Sequence, residues 1–148
     1  MKLQNFKKKG FTLIETIIVI FSISAFVGIM IVVVNPPKQI IDARNSQRKG
    51  DINTILSAVY QYSIDNHGEL PETIPDVPTE ICMTGGDCTG LVDLSVLTEN
   101  KTYLVIIPFD PIYHDENGTG YNIMKVGDKN VEISAPNAER GEIITVTK

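Results

Sequence analysis

The hydrophobic pattern of the chain changes period twice. From Ile17 to Val34 no residue is charged, and the apolar run around those positions is about as long as a helix needs to cross a hydrocarbon core of about 30 Å. Asn35-Pro36-Pro37 interrupts it, because proline removes a backbone donor and clashes with the preceding turn, so a kink or a locally melted turn is expected there. Beyond the prolines, Ile52, Ile55, Leu56, Val59 and Tyr62 or Ser63 recur at helical spacing, with Asp51, Asn53, Ser57 and Gln61 largely elsewhere. This predicts an amphipathic helix on a core, ending at Asn66-His67-Gly68 with Gly68 in the left-handed cap conformation and Pro71 preventing resumption. Residues 68–90 read as irregular connection, followed by a short helix or turn from Leu91 to Leu97. Then β-branched and aromatic runs at Thr102–Ile107, Gly120–Val126, Asn130–Ala135 and Ile143–Thr147 predict strands, with GDKN at 127–130 as a hairpin turn. The fold class is α+β: a long N-terminal helix, its first half transmembrane or protruding and kinked near Pro36-Pro37, packed on a small antiparallel sheet of three or four strands.

Charge divides the chain in the same place. Of its 148 residues the first ten carry four lysines and no acid, and what remains holds nine basic against 18 acidic side chains. Such a domain repels nucleic-acid phosphates, and no basic stripe with interleaved aromatics offsets this. Lysines before the apolar run and none after it until Lys38 orient the N-terminus toward the cytoplasm and the rest outside. A secretory signal peptide fits poorly, since the run is too long and lacks a small-x-small cleavage site. A plain single-pass anchor fits the hydropathy but leaves Gly10 and Glu15 unexplained. A carboxylate inside such a helix costs about 3 kcal/mol on insertion scales and marks a function by default.

Gly10-Phe11-Thr12-Leu13-Ile14-Glu15, after a lysine-rich leader and before an apolar helix, resembles the class III signal of type IV pilins and type II secretion pseudopilins. The resemblance implies cleavage by a membrane prepilin peptidase between Gly10 and Phe11, N-methylation of Phe11 and a role in assembly for Glu15. It divides the chain into a leader, 1–10, a transmembrane and assembly helix, 11–35, and an extracytoplasmic globular domain, 36–148. Less specifically, YSIDNHGELP at 62–71 is similar to the helix end of these proteins, with His67 inserted and Leu70 where an aromatic is typical. PFDPIY at 108–113 is similar to a Pro-x-Asp-Pro element of major pseudopilins. The implied function is a structural subunit of a type IV pilus-like filament. The alternatives are the major pseudopilin of a secretion or DNA-uptake system, or an anchored binding domain that never polymerises. The implied partners are further copies of the chain, the peptidase and methyltransferase, the assembly machinery and the membrane, and the implied locations are the cell membrane before assembly and an extracellular or periplasmic filament after it.

Other chemistry is sparse. Cys82 and Cys88 enclose a Gly-rich loop; two reduced thiols and a disulfide both fit, and the disulfide is expected if the domain lies outside the cytoplasm. His67 and His114 lie near no nucleophile motif and no zinc-ligand pair, so neither an enzyme nor a cofactor is expected. Asp110, Asp115, Glu116 and Asn117 offer oxygen ligands to a calcium ion, without the twelve-residue helix–loop–helix spacing, and read as a solvated turn. Asn100-Lys101-Thr102 and Asn117-Gly118-Thr119 match glycosylation sequons.

Overall fold

The computed structural model describes residues 10–34 and 36–148. They divide into two compact units, with the boundary between Gln39 and Ile40. In the first, α1 spans Leu13–Val34. Its stretch Leu13–Met30 is long and apolar enough to cross a membrane, and none of those side chains is buried. The second helix, α2, spans Pro36–Asp65 and opens on two prolines, whose fixed φ and missing donor suit the first helical turn. Asn35, the first residue of the Asn35-Pro36-Pro37 stretch where a kink was expected, lies outside the described residues, as does the leader up to Lys9.

The second unit is an α+β layer. Ile52, Ile55, Leu56, Ala58 and Val59 put one face of α2 into the core, against Ile81, Tyr121, Ile123, Val131 and Ile133 of the sheet. Burying a side chain of this kind stabilises the fold by about 1.5–3 kcal/mol, so the stripe accounts for most of the hold on the helix. The sheet is an antiparallel meander of four strands in the order β1-β2-β3-β4: β1 Thr79–Cys82, β2 Gly118–Val126, β3 Asn130–Ser134 and β4 Thr145–Thr147. The β2–β3 hairpin pairs Val126 with Asn130 across Gly127-Asp128-Lys129, and Gly127 supplies the positive φ, 70°, that this turn requires.

Two expectations are corrected. Residues 102–107 form no strand. Val105 and Ile106 are both exposed, and the backbone enters from two successive left-handed residues, Asn100 and Lys101. The N–H groups of Tyr103 and Leu104 are bonded to the carbonyl of Leu97, which closes the short helix α3, Ser95–Thr98, instead of reaching a neighbouring strand. One edge of the sheet is β1, inside the segment expected to be irregular. Its four residues between Pro78 and the Gly-rich loop are too few to display a period of two.

The end of α2 differs in one detail. The N–H of Gly68 donates to the carbonyl of Ser63 at 2.7 Å, the six-to-one bond of a Schellman cap, which puts His67 in the left-handed cap position itself, with φ 60°. Gly68 follows it, also at positive φ. A side chain at such a φ costs what glycine avoids. His67→Gly is therefore expected to raise stability by about 0.5–1 kcal/mol, a rise of a few degrees in the thermal midpoint. An unchanged or lower midpoint would count against this assignment of the cap.

Candidate functional site

The residues of the 10–15 motif stand at the opening of α1. Gly10 and Phe11 precede the helix and are exposed, Phe11 by 80%. Thr12 is the N-cap: its carbonyl accepts the N–H of Thr16 at 3.2 Å, and its Oγ1 accepts the N–H of Glu15 at 3.3 Å. Glu15 reaches back, its Oε2 accepting the N–H of Thr12 at a long 3.5 Å. This is a capping box, which the sequence reading missed although its signal, Thr12-x-x-Glu15, is present there. It gives the carboxylate a local task that hydropathy alone does not show. It also holds Glu15 within the first turn, against the backbone of Thr12, where the positive end of the helix dipole favours an acid.

Beyond Glu15, the described part of α1 carries no charge and shows apolar side chains on all sides: Ile17, Phe21, Phe26 and Met30 are each more than half exposed. Ser22 and Ser24 turn their hydroxyls onto the carbonyls of Ile18 and Ile20, at 2.8 and 2.9 Å, and so present no unsatisfied donor. A helix apolar all round needs cover, from lipid or from other apolar helices.

The second polar constellation is buried in the globular unit. Arg48 is fully buried on the core side of α2 and forks onto Asp110, Nε to Oδ2 at 2.7 Å and Nη2 to Oδ1 at 3.1 Å. Its Nη1 donates to Asn45 Oδ1 and Glu139 Oε2. Asn45 in turn donates to the carbonyl of Glu139 and to Glu142 Oε2, and accepts the N–H of Glu139. Asp110 Oδ1 also accepts the N–H groups of Ile112 and Tyr113, which fixes the Pro108–Tyr113 turn. The side-chain bond from Asp110 is the main reason that the Arg48 guanidinium is held charged more firmly than usual. Burial alone would raise the Asp110 carboxyl; the Arg48 hydrogen bonds, the two backbone donors and the Arg48 charge outweigh it and hold the group below the ordinary carboxylate range. Close by, Tyr121 donates to Asp51 Oδ2 at 2.8 Å, and burial pushes the Asp51 carboxyl up.

This network was missed in the sequence, where its signal is two polar residues, Asn45 and Arg48, continuing the core stripe of Ile52, Ile55 and Val59 toward the start of α2. It also takes Asp110 out of any calcium site. Asp115 is used as well, its Oδ1 accepting the N–H groups of Asn117 and Gly118. Among the described residues no three His, Cys, Asp or Glu side chains gather as a metal site.

Cys82 and Cys88 form a disulfide, with Cα atoms 5.3 Å apart. The loop that it closes is tied to its neighbours through backbone bonds. Asp87 N–H donates to Asn117 Oδ1, Met83 N–H to the carbonyl of Asn117, and Ile107 N–H to Thr84 Oγ1. His67 sits at the helix cap, and His114 puts Nδ1 2.6 Å from the carbonyl of Asp110 and its ring against Phe109. The structure does not bring the two histidines to either cysteine. No protein-family model, curated protein or solved structure matches the chain.

Proposed function

We propose that the chain is a structural subunit of a type IV pilus-like filament. In this reading the precursor is stored in the membrane with its globular unit outside. It is cut between Gly10 and Phe11, N-methylated at Phe11 and polymerised through α1. The observation that carries the proposal is the coupling of the Gly10–Glu15 motif to a helix that is charge-free beyond its first turn and exposed on all sides. A membrane covers such a surface before assembly, and like helices of other copies cover it afterwards. Glu15 stands where it can neutralise the new amine of Phe11.

The resemblance of Pro108–Tyr113 to a pseudopilin element favours one second reading, the major pseudopilin of a secretion or DNA-uptake system. It shares the processing and polymerisation steps and differs in filament length, which electron microscopy of the host reads directly.

The test is the N-terminus of the mature protein. Sequencing should begin at a methylated Phe11. A Gly10→Leu variant should accumulate at full length in the membrane and form no filaments, because the peptidase needs a small, flexible backbone at the cut. Mature protein that begins at Met1, or normal processing of Gly10→Leu, would overturn the assignment and leave a plain anchored domain as the better account.

A further inference from the structure

The two Asn-x-Thr triplets both begin on an exposed asparagine and differ at the threonine, which is exposed in the first and buried in the second. Asn100, Lys101 and Thr102 are all exposed. Asn100 has φ 52° and Lys101 φ 56°, a left-handed pair that asparagine tolerates better than most residues and lysine less well. The Asn100 carboxamide makes no hydrogen bond among the described residues. The turn is tied down at its flanks, by Thr102 N–H to the carbonyl of Glu99 and by Tyr103 and Leu104 N–H to that of Leu97. A shallow cavity beside it is bordered by Tyr62, Asn66 and Tyr103, the two tyrosine rings meeting edge to face at 5.8 Å. That supplies an aromatic wall and polar groups of the kind that a pyranose ring rests against.

In the second triplet the asparagine is exposed too, but its carboxamide oxygen, its carbonyl and the hydroxyl two residues on are used up. Asn117 Oδ1 accepts the N–H of Asp87 at 2.8 Å, and the Asn117 carbonyl accepts that of Met83 at 2.6 Å. Gly118 opens β2. Thr119 is fully buried, its Oγ1 donating to the carbonyl of Ile81 at 2.9 Å. An enzyme that must hold the hydroxyl two residues after the asparagine would have to pull the start of β2 out of the sheet.

We propose that Asn100 is an N-glycosylation acceptor and that Asn117 is not. The inference rests on the placement of the globular unit outside the cytoplasm. The co-substrate is a glycan carried on a polyprenyl diphosphate. The Asn100 amide nitrogen attacks the anomeric carbon, a C–N bond forms, the C–O bond to the diphosphate breaks, the lipid diphosphate leaves with the electron pair, and the displaced amide proton passes to a base of the transferase. Exposure makes the nitrogen reachable. The left-handed turn, anchored only at its ends, can reshape around the transferase without disturbing the core.

Peptide mapping by mass spectrometry of the protein from its own host tests this. The peptide that contains Asn100 should be heavier by a glycan mass and the one that contains Asn117 unmodified, and Asn100→Gln should remove the whole added mass from the intact protein with an unchanged circular-dichroism spectrum. A bare Asn100, or a glycan on Asn117, overturns the proposal. The N-terminal peptide in the same digest keeps the two readings apart. Modified Asn100 with a chain starting at Met1 defeats the filament reading alone, whereas bare Asn100 with a chain starting at Phe11 defeats this inference alone.

Discussion

Glu15→Gln should abolish filaments as completely as Glu15→Val, although only valine removes the return bond of the capping box. The two substitutions separate the tasks that the carboxylate can perform. As the far member of the capping box it accepts the Thr12 N–H, and a glutamine carbonyl does the same. As the partner of a processed N-terminus it supplies a negative charge, which glutamine lacks. In the proposed filament the amine of Phe11 enters a bundle of apolar helices where water is scarce, and an unpaired charge there is strongly disfavoured. Glu15 lies four residues from Phe11, one turn along, and can meet its own amine or that of an adjacent copy. Removing one member of a buried ion pair costs about 3–5 kcal/mol, a fall of at least about a hundredfold in the equilibrium for adding a subunit. Cleavage should continue in both variants, since the peptidase reads the leader, so immunoblots should show mature-length protein in the membrane fraction while microscopy shows few or no filaments. Filaments from Glu15→Gln at wild-type number and length would assign the carboxylate to the cap and remove its charge from the assembly mechanism.

What the sequence reveals of this molecule depends on how local the determining interactions are. The core stripe of α2 and the β2–β3 hairpin are legible because a period of 3.6 residues, a period of two and a glycine at a turn are properties of neighbouring positions. The strand expected at 102–107 fails because an apolar run carries no record of whether a sheet edge is within reach. The left-handed turn at Asn100-Lys101 and the bonds to the Leu97 carbonyl lead the chain elsewhere, and Val105 and Ile106 stay exposed. β1 fails for the converse reason. Thr79–Cys82 becomes a strand because β2 lies beside it, pairing Thr79 with Ile123 and Glu80 with Asn122, and nothing within four residues announces such a partner. At the N-terminus the motif was visible by resemblance, whereas the capping box was missed although its Thr-x-x-Glu spacing is local, and only the geometry shows that Thr12 and Glu15 serve each other. The Arg48 network is half legible. Its α2 side can be seen as polar residues in a core stripe, but Asp110 and Glu139 lie 62 and 91 residues away and are brought in by the tertiary fold.

Arg48→Met should cost the globular unit about 3–5 kcal/mol, a large share of the roughly 5–15 kcal/mol that holds a domain of this size together. Methionine fills much of the volume, so the loss comes mainly from Asp110, left fully buried with a charge and no counter-ion. Asparagine at 110 can still accept the N–H groups of Ile112 and Tyr113 that shape the Pro108–Tyr113 turn, and it carries no charge. Adding Asp110→Asn to Arg48→Met should therefore recover half or more of the lost stability. The pH dependence follows from the direction of the Asp110 shift. In the wild type the carboxyl is held below its ordinary value of 3.8, so its contribution is fully present above that value and fades as the pH falls through the lower folded value. In Arg48→Met the bonds and charge of Arg48 are gone while the backbone donors of Ile112 and Tyr113 stay, and burial, the largest single influence, raises the carboxyl relative to the wild type. Acid then relieves the variant while the wild type still holds its full contribution, and the gap between them should narrow as the pH falls from about 7 toward about 4. Unfolding in urea followed by tyrosine fluorescence reads both effects in detergent-solubilised protein, since the chain has five tyrosines and no tryptophan. A single variant within about 1 kcal/mol of wild type, or a double variant no more stable than the single, would show that Asp110 is solvated or paired elsewhere and that the fork from Arg48 does not hold the turn.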